Sequence, residues 1–250
     1  MDKSGNFIQY KIFKSFKNLV AFTTTKQTFN IQNPRFTGDS TEIYNEPRKV
    51  LAEKLGINTE QLIFPRQEHT DCIVEIALIP DIEIKATDAL ITDKTGICLC
   101  IQTADCVPIL LFDPVKQVIA AVHAGWRGTV KKIVASTIEQ MISNYHSNPK
   151  DILAAIGPSI GPEIYEVGNE VVEAVRKSIP VPEKTLHLNT NGKYHFNLWE
   201  ANRQLLISNG ISDKNIEIKG DCSFTNSDNY FSARRDGINT GRMVSGIMLS

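Results

Sequence analysis

The sequence predicts an α+β fold organised on mixed β-sheet. Two observations carry this: many short apolar runs bounded by polar or Gly/Pro breaks require one large sheet or two, and only three stretches show helical spacing. A third supports it. The chain has 250 residues, 42% of them hydrophobic, enough to fill the core of a single domain spanning residues 1–250.

Strands are expected at 7–13, 19–23, 61–64, 72–78, 89–92, 97–103, 107–112, 118–123, 152–156, 216–219 and 243–249. Each is a short apolar or β-branched run closed by turn-forming residues. Between them, Val130, Ile133, Val134, Ile138, Met141 and Ile142 recur at helical spacing and predict one amphipathic helix over 128–145. Val171, Val172, Val175 and Ile179 place a second helix at 169–179. A third starts at Asn197, with Glu200 three residues on as a capping-box partner, and stops before Gly210. These helices would cover sheet faces.

The stretch from Ile97 to Val130 carries the chemistry. Asp113-Pro114-Val115-Lys116 places Asp at position i and Pro at i+1 of a type I turn between two apolar runs. A turn centred between Pro114 and Val115 pairs residues whose numbers sum to 229, which sets Cys106 opposite His123. Their Cβ atoms would lie roughly 4.5–5.5 Å apart. Pro108 asks for an edge strand or a bulge. Of the other histidines, His69 lies in the polar break Arg66-Gln67-Glu68-His69-Thr70-Asp71 between two strands, where a site residue is expected. One cysteine and two histidines suit zinc, with the fourth tetrahedral position left open as in catalytic centres. Asp105 is either a partner orienting a ligand or a cap on a strand end. His146, His187 and His195 have polar surroundings and are expected at the surface.

At these residues the sequence resembles the laccase-domain proteins, once named multicopper polyphenol oxidases and since reassigned as broad-specificity purine nucleoside phosphorylases. The matching blocks are RQEHTD at 66–71, TDALIT at 87–92, TADCVPILLFDP at 103–114, AAVHAGWRGT at 120–129, AAIGPSIGPEIYEVG at 154–168 and FSARRDGINTGRM at 231–243. The N-terminal third departs from the pattern: Phe22-Thr23-Thr24-Thr25 lacks the usual arginine, and Pro47 stands where an asparagine is common. The resemblance implies a layered sandwich of mixed sheets flanked by helices, and His69, Cys106 and His123 as metal ligands and catalytic residues. It also implies phosphorolysis of adenosine, inosine and guanosine to base and ribose 1-phosphate, adenosine deamination, and phosphorolysis of methylthioadenosine. The cofactor implied is zinc, with copper as the alternative metal. A blue-copper centre plus a copper cluster would consume more histidines than the five present.

Phosphate needs cations. Arg127 precedes a predicted helix start, where free N–H groups attract anions, and Arg234, Arg235 and Arg242 lie in a glycine-broken loop able to reach phosphate or carboxylate. Gly157-Pro158-Ser159-Ile160-Gly161-Pro162 reads as a rigid turn beside them. The same Cys106 and His123 also fit a metal-free cysteine hydrolase, with Cys106 as nucleophile and His123 as base. A non-enzymatic partner protein would show a long exposed apolar or charged segment, and none is read here.

A net charge of −1 from 27 basic and 28 acidic residues offers no basic stripe for nucleic acid. Residues 1–14 carry Lys3, Lys11 and Lys14 and no continuous apolar core of a leader. No stretch approaches the roughly 18 apolar residues of a membrane span, so a cytoplasmic protein is expected, and the resemblance implies purine nucleosides and inorganic phosphate as its partners. Five scattered cysteines make no disulfide framework, and Cys98 and Cys100 read as buried core thiols on one strand face.

Overall fold

The computed structural model describes residues 7–250. The first six residues of the segment examined for a leader lie outside them. In chain order the elements are β1 (Phe7–Ile8), β2 (Leu19–Thr24), α1 (Asn45–Leu55), β3 (Leu62–Ile63), β4 (Ile73–Glu75), β5 (Ala89–Thr92), β6 (Cys98–Thr103), β7 (Val107–Asp113) and β8 (Val118–Ala124). There follow α2 (Trp126–Val130), α3 (Ile133–Tyr145), β9 (Leu153–Ile156), β10 (Glu166–Val167), α4 (Asn169–Ser178), β11 (Leu186–Leu188), β12 (Tyr194–Phe196), α5 (Leu198–Ser208), β13 (Ile216–Ile218), α6 (Ala233–Asp236) and β14 (Met243–Leu249). The fold is α+β with mixed sheets, as the sequence predicts.

The strands form a five-stranded sheet in the order β1-β2-β14-β6-β3 and a six-stranded sheet in the order β13-β9-β7-β8-β5-β4, with β10-β12-β11 as a smaller third. Strand alternation sorts their side chains into layers. On one face of the six-stranded sheet, Ile109, Leu111, Val118, Ala120 and Val122 pack under α3, α4 and α5 through Ile133, Ile138, Met141, Val175 and Leu205. From the other face Leu90, Leu110, Phe112, Ile119 and Ala121 meet Leu99, Ile101, Ile247 and Leu249 of the five-stranded sheet. That sheet's far face carries Phe22, Cys98, Cys100 and Val244 against Phe36 and Leu51. Both core thiols are fully buried, as expected.

The chain passes from the five-stranded to the six-stranded sheet twice. It leaves the five-stranded sheet after β3 to enter β4, and leaves it again after β6 to enter β7. Both crossings return below as ligand-bearing segments.

Several expectations need correcting. The predicted strand 7–13 stops at Ile8, and a 3₁₀ turn over Lys11–Phe13 buries Phe13 against the Phe112 ring. The single helix 128–145 is two helices, because Lys132 adopts φ 62°, a left-handed conformation that interrupts the helix between α2 and α3; spacing runs through such a break unseen. The strand 72–78 is cut to Ile73–Glu75, and Leu78 is exposed. Five elements go unforeseen: α1, whose Pro47 sits in the first turn where its missing N–H costs nothing, the short paired strands β10 to β12, and the one-turn α6. Asn197 does cap α5, accepting the Glu200 N–H. Among the described residues no helix is long and apolar enough to cross a membrane.

Candidate metal centre

His123 lies near the end of β8, on the face that Ile119 and Ala121 turn toward the five-stranded sheet. The hairpin register differs from the sequence expectation. His123 pairs with Pro108, so paired numbers sum to 231 rather than 229. The loop takes four residues, with Asp113 Oδ1 accepting the N–H groups of Val115 and Lys116, and Gln117 at φ 55°. A slip of two keeps side-chain parity, so Cys106 stays on the His123 face, one diagonal step away. Pro108 is accommodated inside the sheet because β7 begins one residue earlier and β9 ends at Ile156; beyond it Gly157 donates to the Pro108 carbonyl at 2.8 Å. A Cβ at Gly157 would meet Pro108 Cγ at 2.8 Å, so this crossing needs glycine.

Cys106 sits on the crossing from β6 to β7, just after Asp105, whose φ of 93° ends β6 and aims the thiol along the sandwich mouth. His69 sits on the other crossing, between β3 and β4, at φ 59°. Gln67 anchors that segment, accepting the Gln102 N–H at 2.8 Å and donating to the Gln102 carbonyl at 2.9 Å. The three ligand atoms of His69, Cys106 and His123 all fall within 4.8 Å of one another, with Cys106 Sγ 3.8 Å from His69 Nε2. A tetrahedral zinc with bonds of about 2.3 Å to sulfur and 2.0–2.1 Å to nitrogen holds its ligand atoms about 3.3–3.6 Å apart. The donor set therefore fits such an ion after a small inward closure. Gly125 makes room for it: a Cβ there would lie 2.9 Å from Cys106 Sγ and 3.2 Å from His69 Cδ2.

The residue that orients the centre is Asp88, which the sequence reading passed over although it stands in the TDALIT block. Its side chain is fully buried; Oδ1 lies 2.7 Å from His123 Nδ1 and accepts the His69 N–H, while Oδ2 accepts the N–H and O–H of Thr70. Burial alone would raise the Asp88 pKa, but the His123 contact and the Thr70 donors outweigh it and hold the carboxyl at about 2. Burial would also raise the Cys106 thiol, yet His123 and then His69 draw it down to about 6. His123 is pushed the opposite way, to about 9, because Cys106 and Asp88 overcome the effect of burial. The two opposed shifts favour proton transfer from the thiol to the imidazole.

Asp105 touches neither histidine. It accepts the Ser223 hydroxyl and the Arg234 N–H, both at 2.7 Å, and so ties the C-terminal loop to the Cys106 crossing. The guanidinium of Arg235 is turned inward onto the carbonyls of Ser223, Phe224 and Tyr230 and onto Asp236, and it does not line the cleft beside the triad. Arg127 is exposed in the first turn of α2, 4.4 Å over the Trp126 ring, and also stands outside the cleft lining. Arg234 and Arg242 do line it. With them are Arg35 and Arg66, which the sequence reading did not single out, together with Thr37, Gln102 and Tyr165, around a cavity of about 560 Å³ open to the three ligands. Arg66 stands in the RQEHTD block three residues before His69, a signal that could have pointed to it, whereas only the spatial return of residues 35–39 from the weakly matching N-terminal third brings Arg35 to the cleft. His146 and His187 are exposed and His195 is half-buried, apart from the triad.

Fold and site together define an α+β protein with one thiolate and imidazole metal-competent centre, among the described residues, at the mouth of an arginine-lined cleft. The chain belongs to the family described as multi-copper polyphenol oxidoreductase laccase, whose profile matches residues 22–250. It is 37% identical to a protein from Bacteroides thetaiotaomicron named purine nucleoside phosphorylase, over 99% of this chain and 97% of that one. It is 36% identical to one named adenosine deaminase RL5, from an unknown prokaryotic organism, over 94% and 95%. Among solved structures, a Bacillus licheniformis protein titled hypothetical protein YfiH superposes with a TM-score of 0.90 at 32% identity, covering 99% of this chain and 97% of that one. Relatives bearing these names place the chain in a family of enzymes.

Proposed function

We propose that this chain is a zinc-dependent purine nucleoside phosphorylase. It converts adenosine, inosine or guanosine and phosphate to free base and ribose 1-phosphate, and it also deaminates adenosine and cleaves methylthioadenosine. The observation that carries the reading is the convergence of His69, Cys106 and His123 on one point that opens into a cleft lined by four arginines. Names carried by the relatives support the nucleoside and phosphate chemistry.

His69, Cys106 and His123 would hold the ion, and zinc there supplies Lewis acidity at neutral pH with one coordination position open to solvent or substrate. Asp88 keeps the His123 proton on Nδ1 and so leaves Nε2 free as a ligand. The cleft arginines hold anionic oxygens and orient them, which is what attack on an anomeric carbon demands of the protein. Asp105 and Arg235 support this arrangement by holding the C-terminal loop that presents Arg234, and Arg127 acts from outside the lining, where its charge reaches Tyr165. We read residues 1–250 as one cytoplasmic domain with no nucleic-acid or membrane partner.

A second reading has its own observation. Asp88, His123 and Cys106 line up as an acid, base and thiol, with the thiol drawn down to about 6, as a metal-free cysteine hydrolase would require. Incubating metal-defined protein with adenosine, inosine and methylthioadenosine, with and without phosphate, and resolving the products by chromatography tests both. Zinc-restored, phosphate-dependent release of base supports the first. Full activity in metal-free protein, lost on alkylation of Cys106, replaces it with the second.

A further inference from the structure

The cleft's arginines differ in how their charge is met. Arg66 pairs with Asp39 and Glu83. Arg234 lies over the Tyr165 ring and donates to the Glu166 carbonyl. Arg35 and Arg242 are different: both are half-buried, and among the described residues neither forms an ion pair with a carboxylate.

Their side chains are brought together by one acceptor. Arg35 Nη2 and Arg242 Nη2 donate to the same Ile238 carbonyl, at 2.8 and 3.0 Å. Arg242 Nη1 is held by the carbonyls of Thr240 and Gly241, while its backbone N–H donates to the Pro34 carbonyl, fastening the 33–35 segment to the C-terminal loop. Two like charges are thus fixed side by side, both lining the cavity that holds Cys106 and His123. Burial and the neighbouring Arg35 both depress the Arg242 pKa, to about 10, with Cys106 and Asp105 as the nearby groups opposing this. Such a pair is stabilised by an anion that can accept from both planar forks at once. Among the described residues the Arg35 side chain makes one hydrogen bond and Arg242 Nε makes none, so donors remain for a ligand.

We infer that Arg35 and Arg242 together form a seat for a phosphoryl dianion beside the metal-competent triad, and that inorganic phosphate is its occupant. This rests on the reading of the protein as a phosphorylase, and it assigns the phosphate to a pair formed between the two ends of the chain rather than to Arg127 or Arg235.

The test is equilibrium binding of inorganic phosphate to zinc-loaded protein without nucleoside, by calorimetry, for wild type, Arg35→Gln, Arg242→Gln, Arg242→Lys and Arg127→Gln. Arg35→Gln and Arg242→Gln are expected to weaken binding at least tenfold with unchanged zinc content. Arg242→Lys should recover part of the loss, and Arg127→Gln should match wild type within twofold. Arg242→Gln removes contacts that hold its own loop, so a melting curve accompanies each variant; Arg35→Gln loses one hydrogen bond and carries the test if the other fails to fold. Phosphate affinity unchanged in Arg35→Gln, or lost in Arg127→Gln alone, overturns the assignment. A nucleoside 5′-monophosphate binding to the pair in place of inorganic phosphate also overturns it. Because binding is measured without turnover, phosphate held at this pair in a protein without phosphorolysis sustains the seat while removing the proposed activity.

Discussion

Asp88 Oδ1 stands 2.7 Å from His123 Nδ1 and also accepts the backbone N–H of His69 at 3.1 Å. One carboxylate oxygen thereby sets the ring tautomer of one prospective ligand and the chain position of the other. While that carboxylate stays ionised it holds the His123 ring and the backbone of His69 in place.

Replacing Asp88 with Asn keeps the size but turns an N–H toward His123 or toward the His69 amide. Metal affinity should fall about 10–100-fold, the range found when such a partner is lost. Competition against a chromophoric chelator measures it. An unchanged affinity, in protein that melts as wild type does, would remove Asp88 from the centre.

Cys106→Ala should carry little zinc where wild type carries close to one ion per chain, read by elemental analysis. Cys106→Ala and His123→Ala should each abolish inosine formation from adenosine. Phosphorolysis should drop at least tenfold, about 1.4 kcal/mol or more of transition-state stabilisation. Equal metal in wild type and Cys106→Ala would sink the ligand assignment.

Gly125→Ala tests the space rather than the ligands. The backbone there has φ −67°, so alanine brings no strain of its own, only a methyl 2.9 Å from the Cys106 sulfur. Zinc affinity should fall at least tenfold while the metal-free protein unfolds at the wild-type denaturant concentration. A titration indistinguishable from wild type would show that the thiol has room to move.

Arg235→Met is expected to act on stability. The guanidinium bonds three carbonyls and pairs with Asp236, so its loss should cost about 2–4 kcal/mol in urea unfolding. Phosphate affinity should remain within twofold of wild type; a large loss of affinity without destabilisation would return Arg235 to the ligand.

What could be read in the sequence follows from how local the cause is. Runs 89–92 and 243–249 match their strands at both ends, because strong apolar patterning and turn residues decide them locally. The meeting of the three was legible because His69 and Cys106 lie at breaks between such runs and His123 at the end of one. The hairpin register was not, since Asp113 caps a four-residue loop that composition does not distinguish from a two-residue turn. Helix α1 was hidden by a polar sequence that buries only Pro47, Leu51 and Ala52. Arg35 was hidden for a different reason: its role depends on Ile238, 203 residues away, and no local pattern encodes that meeting.

The two crossings from the five-stranded to the six-stranded sheet carry His69 and Cys106, while His123 lies near the end of β8 in the six-stranded sheet. An ion shared by the three would act as a clasp across the open end of the sandwich. Occupancy and sheet separation then become one thermodynamic variable: anything that lets the layers slide weakens the grip on the ion, and the ion holds the layers in return. With such an ion bound, a melting curve would also be a metal titration, and a substitution deep in the inter-sheet layer, at Leu110 or Ile247, should surface first as a change in how tightly the clasp closes.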